Sequence, residues 1–320
     1  MREKVRSGKV LEHSHSWLGG FRDRSRTGMR SFTKPHSQEW LCYWAYDRMT
    51  RRNDKEKIGQ FYDFVSAHFQ ELWGEHIHHG YWISGKETKE EAQIQLIEHL
   101  VQAANIRPGS KILDVGCGTG GSSIYLAKRH KMEATGITIS SVQVELAKRA
   151  AAEAGANAKF LLMDAEAMQF EEVFDAVWSV ESVSHYRDIA GFFASAAKML
   201  KPNGTIALID WFKKPNLNPT DYQKKIVPIE KGMLVELETM QEYEVWMKSS
   251  GLKIIKSEIL NNHCSKSWDL AVDIIKKKSL WKLAATHGLL FVDFLRAFRA
   301  IRAGFASGDF VYGLVVAQKI

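Results

Sequence analysis

The sequence predicts an α/β protein: a mostly parallel, seven-stranded sheet with helices on both faces and a helical cap. Three observations lead there. From Lys111 to Trp211, short apolar runs alternate with amphipathic segments, the pattern of strands joined by crossover helices. The first of these runs passes straight into a glycine-rich turn, Gly116-Cys117-Gly118-Thr119-Gly120-Gly121, that opens a helix. After long helical insertions, two further runs at 252–260 and Phe310–Ala317 bring the strand count to seven.

The elements follow in order. Residues 1–35, rich in Ser, Arg, Gly and His, show no sustained apolar period and read as a largely unstructured arm. Residues 38–56 are expected to be a helix carrying Trp40, Leu41, Trp44 and Met49. Ile58, Phe61, Tyr62, Val65 and Phe69 recur at helical spacing, and a His- and aromatic-rich loop follows at 74–82. Residues 87–105 form the next helix, its inner face Ile94, Leu96, Ile97, Leu100 and Val101, and Pro108-Gly109 ends it. Then come a strand at Lys111–Val115 and a helix at Gly121–His130. A strand at Ala134–Thr138 precedes a helix capped by Ser140 or Ser141. Strands at Lys159–Met163 and Phe174–Ser179, a helix at Asp188–Leu200, a turn at Pro202-Asn203-Gly204 and a strand at Thr205–Trp211 complete the alternation. Beyond it, 212–250 reads as polar and helical, and 265–304 as amphipathic helices. The domain boundaries expected are an extension over 1–56 and one domain over 57–320. Its core lies at about 106–211, with cap elements at about 57–105, 212–250 and 262–306.

Composition narrows the function. The chain has 320 residues, 45% hydrophobic and 25% charged, ordinary for a globular protein. Residues 1–55 carry 13 Lys/Arg against 6 Asp/Glu, the whole of the net charge of +7. A neutral remainder argues against a domain built to bind nucleic acid. Cys42, Cys117 and Cys264 are far apart, so neither a disulfide framework nor a metal site is expected, and a reducing compartment fits. The charged start lacks the apolar core of a secretory signal. The expected location is cytoplasmic, with organelle targeting by the Arg/Ser-rich 1–35 as the lesser reading.

The chemistry centres on Ile112-Leu113-Asp114-Val115-Gly116-Cys117-Gly118-Thr119-Gly120. Glycines let backbone approach a ligand closely, and the helix start presents free N–H groups. Nicotinamide enzymes use such a turn too, so an NAD-dependent oxidoreductase is the rival reading. Two features oppose it. Asp114 suits a cationic ligand better than a pyrophosphate. The second strand ends Gly136-Ile137-Thr138-Ile139-Ser140, with no acid at its tip for a ribose.

The glycine segment resembles motif I of class I S-adenosylmethionine (SAM) methyltransferases. Gly136-Ile137-Thr138-Ile139-Ser140-Ser141-Val142-Gln143 is similar to the second motif of the tocopherol, sterol and cyclopropane-fatty-acid methyltransferase group. Met163-Asp164-Ala165 resembles the adenine-binding turn, and Ser179-Val180-Glu181-Ser182-Val183-Ser184-His185 the motif after strand four. Phe61-Tyr62-Asp63 and Trp73-Gly74-Glu75-His76-Ile77-His78-His79-Gly80-Tyr81-Trp82 resemble the start of γ-tocopherol methyltransferase-like enzymes. The likeness spans roughly 57–320 and is looser after 212.

It implies a Rossmann-like fold and SAM as cofactor. Asp114, Gly116, Cys117, Gly118 and Gly120 would form the cofactor loop. Thr138 and Gln143 would face the ribose, Asp164 and Ala165 the adenine, and Val180 would add a contact. Tyr62 and Tyr81 would close over the methionine end, with His79 and Trp82 as a substrate lid and Glu181 and His185 as catalytic polar groups. The three loop histidines, His76, His78 and His79, are read as enclosing the centre, with no metal. The expected acceptor is a small apolar natural product such as a terpenoid, sterol, tocopherol or alkaloid. Carbon is slightly favoured over nitrogen or oxygen. The helix bearing Phe291, Phe294, Leu295, Phe298 and Ile301 is expected to pack inward, with a substrate roof or a membrane-surface contact as alternatives.

Overall fold

The computed structural model describes residues 54–276 and 278–320, leaving aside the side chains at 67–69, 71, 72 and 278–291. The arm at 1–35 and nearly all of the helix expected at 38–56 lie outside the described residues, as does the Phe291 side chain. The chain begins with α1 (Lys55–Trp73) and α2 (Lys89–Ala104). The alternating core is β1 (Lys111–Val115), α3 (Gly121–His130), β2 (Glu133–Thr138), α4 (Ser141–Ala154), β3 (Ala158–Leu162), β4 (Phe174–Val180), α5 (Ile189–Met199) and β5 (Leu200–Lys213). Then come α6 (Val227–Met233), α7 (Met240–Ser249), β6 (Leu252–Ile259), α8 (Lys266–Ile275), α9 (Lys278–Ser307) and β7 (Phe310–Lys319).

The helix starts follow from local chemistry. Thr88 caps α2 by accepting from the Glu91 N–H while Glu91 accepts from the Thr88 N–H, satisfying two otherwise orphaned donors. Ser140 caps α4 and Asp188 caps α5 in the same spirit. Asn105 in the left-handed region ends α2 just before Pro108.

The seven strands lie in the order β3-β2-β1-β4-β5-β7-β6. β1 to β5 pair in parallel, and β7 runs antiparallel to both of its neighbours. The last strand of the chain thus inserts between β5 and β6. Burial explains why. Phe310–Ala317 is buried on both faces, whereas β6, after the buried Leu252, alternates exposed with half-buried positions. A strand apolar on both faces belongs inside a sheet and a half-polar one at its edge. Within β5, Pro202-Asn203-Gly204 interrupts the ladder as expected: pairing with β4 shifts register between Phe174 and Ala176, and Asn203 has φ 62°.

Alternate residues feed two cores. Ile112, Trp178, Ile209 and Leu314 pack beneath α2, where Leu96, Ile97 and Leu100 are fully buried. Leu113, Val177, Leu208 and Val315 pack against α5 and α7, around Phe193 and Tyr243. Each such aliphatic side chain contributes about 1.5–3 kcal/mol by leaving water. The segment after β5 is less polar than its composition suggests, since Ile226, Ile229 and Met247 are fully buried. α6 lies close on α9: a Cβ on Gly232 would sit 2.4 Å from the Asp293 carbonyl oxygen. The inward face of α9 at Phe294, Leu295, Phe298 and Ile301 is core, with Arg296 and Arg302 exposed on the other side. Among the described residues no helix is long and apolar enough to cross a membrane.

Candidate active site

The chain crosses from one half of the sheet to the other between β1 and β4, and their carboxyl ends open into a single cavity of about 240 Å³. One half of its wall lies over β1, β2 and β3, the other over β4 and β5.

In the first half, β1 carries Asp114 and then turns through Gly116 and Gly118, both with positive φ. Gly116 is forced by its neighbour, because a Cβ there would lie 1.8 Å from the Ser182 hydroxyl oxygen. Gly118 faces open space within the cavity. Asp114 is 2% exposed, and its Oδ2 accepts one side-chain hydrogen bond, from Ser123 at 2.6 Å. Burial pushes its pKa up to about 7. A buried carboxyl with so little support favours a cationic ligand in the cavity beside it. Cys117 also lines this wall, its thiol pushed up by burial.

Thr138 and Gln143 line the same half. Thr138 donates its hydroxyl to the Gln143 side-chain oxygen at 2.6 Å, and the Gln143 amide donates to Ser66 Oγ at 3.1 Å. Asp63 accepts from the Ser140 hydroxyl at 2.5 Å. These bonds dock α1 onto the start of α4, forming a wall from Tyr62 to Thr138. At the β3 end, Asp164 and Ala165 reach the cavity. Asp164 Oδ2 accepts from Lys55 Nζ at 2.6 Å, and the same ammonium lies 2.9 Å from Glu166.

The second half is built around Glu181. This residue follows Val180 at the end of β4 and holds φ 55°, a strained position for a non-glycine residue. Its Oε1 accepts three hydrogen bonds, each 2.7 Å long, from the His79 N–H, His79 Nδ1 and the Tyr312 hydroxyl. Burial alone would raise the Glu181 pKa. The charge and hydrogen bonds of His79 outweigh it and hold the carboxyl below the usual carboxylate range. Beside it, His185 Nδ1 lies 2.9 Å from the Leu234 carbonyl, so that nitrogen carries the proton. Nε2 then accepts from the Tyr62 hydroxyl at 2.9 Å, and burial lowers the His185 pKa to about 4. Trp211, Trp268, Phe294 and Phe298 line the rest of this chamber.

The cavity therefore gathers most residues expected of the site, and three lie outside its lining. Tyr81 does not line it: its ring is stacked between His99 and His263, at 4.6 and 4.4 Å. Trp82 is also outside. Its indole donates to the Glu87 carbonyl, and its backbone pairs with His263. Both anchor the loop to α2 and to the segment before α8. Gly120 supports packing: a Cβ there would meet the Phe160 ring at 2.6 Å. Sequence spacing missed Lys55, Trp211, Trp268 and Tyr312. Tyr312 sat unmarked in an apolar strand, and β7–β5 pairing opposite Trp211 brings it to the site.

A doubly wound sheet of this order, with one reversed strand inside it, is the Rossmann-like fold of class I methyltransferases, and the family and relatives that the chain matches make it a SAM-dependent methyltransferase. It belongs to the mycolic acid cyclopropane synthetase family, whose model matches residues 49–288. The chain is 31% identical over 257 residues to 27-O-demethylrifamycin SV methyltransferase of Amycolatopsis mediterranei (strain S699), covering 78% of this chain and 94% of that protein. It is 33% identical over 246 residues to a probable chloroplastic tocopherol O-methyltransferase of Oryza sativa subsp. japonica, covering 71% of this chain and 67% of that protein. The mycolic acid cyclopropane synthase CmaA1, solved in complex with SAH and CTAB, shares the fold at a TM-score of 0.72 and 18% identity, over 84% of this chain and 98% of that one.

Proposed function

We propose that the protein transfers the methyl group of SAM to a small, largely apolar natural product. The observation that carries this is the single cavity that joins the glycine turn and Asp114 to an aromatic chamber walled by Trp211, Trp268, Phe294 and Phe298. The relatives' names, a rifamycin-type and a tocopherol methyltransferase, support acceptors of this size and character.

In this reading Asp114 faces the charged end of the cofactor, with Gly116, Cys117, Gly118 and Val180 around it. Thr138 and Gln143 hold the ribose, and Asp164 and Ala165 the adenine. Tyr62 covers the methionine end. Bound SAM supplies a methyl carbon on a positively charged sulfur, which is already an excellent leaving group. The chain's own task is to align the acceptor in line with that carbon and to exclude water, and orientation of this kind is worth on the order of 7–11 kcal/mol at the limit. α6, α8 and α9 cover the acceptor half for that purpose, and no metal is called for. The sequence alone slightly favoured carbon as acceptor. The chloroplastic relative supports a targeting role for residues 1–35.

The test is transfer of label from methyl-labelled SAM in an extract of the source organism. Label in the organic, small-molecule fraction is expected. Label in protein or nucleic acid would overturn the substrate class.

A further inference from the structure

His79 is locked in one orientation by a single carboxylate oxygen. Its backbone N–H and its Nδ1 both lie 2.7 Å from Glu181 Oε1. The Tyr312 ring stacks on the imidazole at a centroid distance of 4.3 Å and donates its hydroxyl to the same oxygen at 2.7 Å. An ionised carboxylate only accepts, so Nδ1 is a protonated nitrogen, and in its neutral form the ring has its lone pair on Nε2. That Nε2 has no hydrogen-bond partner among the described residues, although His79 is only 3% exposed and lines the cavity. A buried polar atom left without a partner calls for an explanation.

Resting on the methyltransferase reading above, we infer that His79 is the general base of the transfer, that Glu181 and Tyr312 position it, and that the acceptor is an acidic hydroxyl on an aromatic or conjugated ring. Nε2 takes the hydroxyl proton as the oxygen's electron pair forms the bond to the methyl carbon. The carbon–sulfur bond breaks with its electrons staying on sulfur, and neutral S-adenosylhomocysteine leaves. Glu181 stabilises the imidazolium, which then returns its proton to solvent. An imidazole is a poor match for an ordinary alcohol but a workable one for a phenol, whose pKa is about 10.

The other imidazoles of the cavity are less suited. His185 Nε2 is engaged by Tyr62. His76 is held by burial at a pKa of about 3. His78 binds the His79 carbonyl oxygen through Nδ1, burial lowers its pKa, and among the described residues no carboxylate is hydrogen-bonded to its ring. Around His79, the indoles of Trp211 and Trp268 pack with centroids at 5.9 and 5.2 Å, and their N–H groups also lack partners among the described residues. Two unused donors beside the base suit an acceptor carrying a second oxygen near the reacting hydroxyl.

The experiment has two stages. Methyl-labelled SAM and source extract first yield the labelled product, whose structure is read by mass spectrometry and NMR. A methyl ether is expected. A carbon- or nitrogen-methylated product overturns the inference and leaves the methyltransferase reading standing; absence of any labelled small molecule removes both. With that acceptor, His79→Asn keeps an amide donor toward Glu181 but removes the base. A kcat loss of about 100-fold to 10,000-fold is expected, with S-adenosylhomocysteine affinity by calorimetry within about threefold of wild type. The charged and titratable groups facing the ring are Glu181, Tyr312 and His78, with Asp210 behind Glu181. Glu181→Gln removes the charge that favours the imidazolium, so the acid limb of the kcat–pH profile moves to lower pH as kcat falls. A merely structural role would lower kcat without moving that limb. Near wild-type turnover in His79→Asn, or an unmoved limb in Glu181→Gln, overturns the assignment.

Discussion

The Tyr62 hydroxyl donates to His185 Nε2 at 2.9 Å, joining α1 to the turn after β4 across 123 residues of sequence. The two rings also meet edge to face at 5.5 Å. Both residues line the cavity. Tyr62→Phe keeps the ring contact and removes the donor, leaving the buried Nε2 without that partner. A stability loss of about 1–3 kcal/mol is expected, together with weaker S-adenosylhomocysteine binding as α1 loosens. Thermal unfolding and calorimetry measure the two effects. Unchanged values for both would show that the bond does not hold α1.

Stability is expected to fall as pH drops from about 6.5 to 4. His185 is buried neutral, with its pKa lowered by burial from 6.5 to about 4, and His76 is lowered by burial to about 3. Between those values the unfolded chain binds protons that the folded chain refuses, so acid favours unfolding. His185 alone accounts for about 3 kcal/mol of this, at 1.36 kcal/mol per unit. Denaturant midpoints at pH 7, 5.5 and 4 measure it, with His185→Gln flattening part of the slope. A pH-independent midpoint over this range would contradict it.

Gly116→Ala is expected to abolish cofactor binding. The added Cβ would fall 1.8 Å from Ser182 Oγ and 2.4 Å from Ser182 Cβ, at φ 72°. Ser182→Ala in the same chain should not restore binding, because the Ser182 Cβ remains in the way. Ser182→Gly should restore part of it, leaving the backbone strain of about 1–2 kcal/mol. S-adenosylhomocysteine titration of the three variants discriminates. Full rescue by Ser182→Ala would place the obstacle elsewhere.

Cofactor binding should release a proton near neutral pH. Asp114 is raised by burial to about 7 before a cation arrives, and a cationic ligand lowers it by favouring the ionised form. Affinity for S-adenosylhomocysteine, which keeps the ammonium group, should therefore rise as pH goes from 6 to 8. Calorimetry in buffers of different ionisation enthalpy counts the protons released. Asp114→Asn should bind more weakly and lose this pH dependence; a retained dependence would assign the proton to another group.

What the sequence made legible divides along physical lines. The glycine turn with Asp114 could be read because positive φ and close backbone approach are local demands, met by residue type alone. The alternation that builds β1 to β5 was equally local. The loop at 74–82 is placed only in part by its own residues. His79 reaches the site, but Tyr81 is held by His99 and His263, partners fixed only when α2 and the segment before α8 converge. Tyr312 was invisible for the same reason: it is one tyrosine in an apolar strand until β7 enters beside β5, 131 positions from Glu181 in sequence. Lys55 reaches Asp164 across 109 positions, and no spacing rule predicts such a pair.

The most direct test of the account is to incubate the purified protein with methyl-labelled SAM and an extract of its source organism, then fractionate the label. The account predicts label in a small, apolar, organic-soluble product, reduced when Asp114→Asn replaces the wild type. Label retained by protein or nucleic acid, or no transfer from a protein that binds S-adenosylhomocysteine, would contradict it.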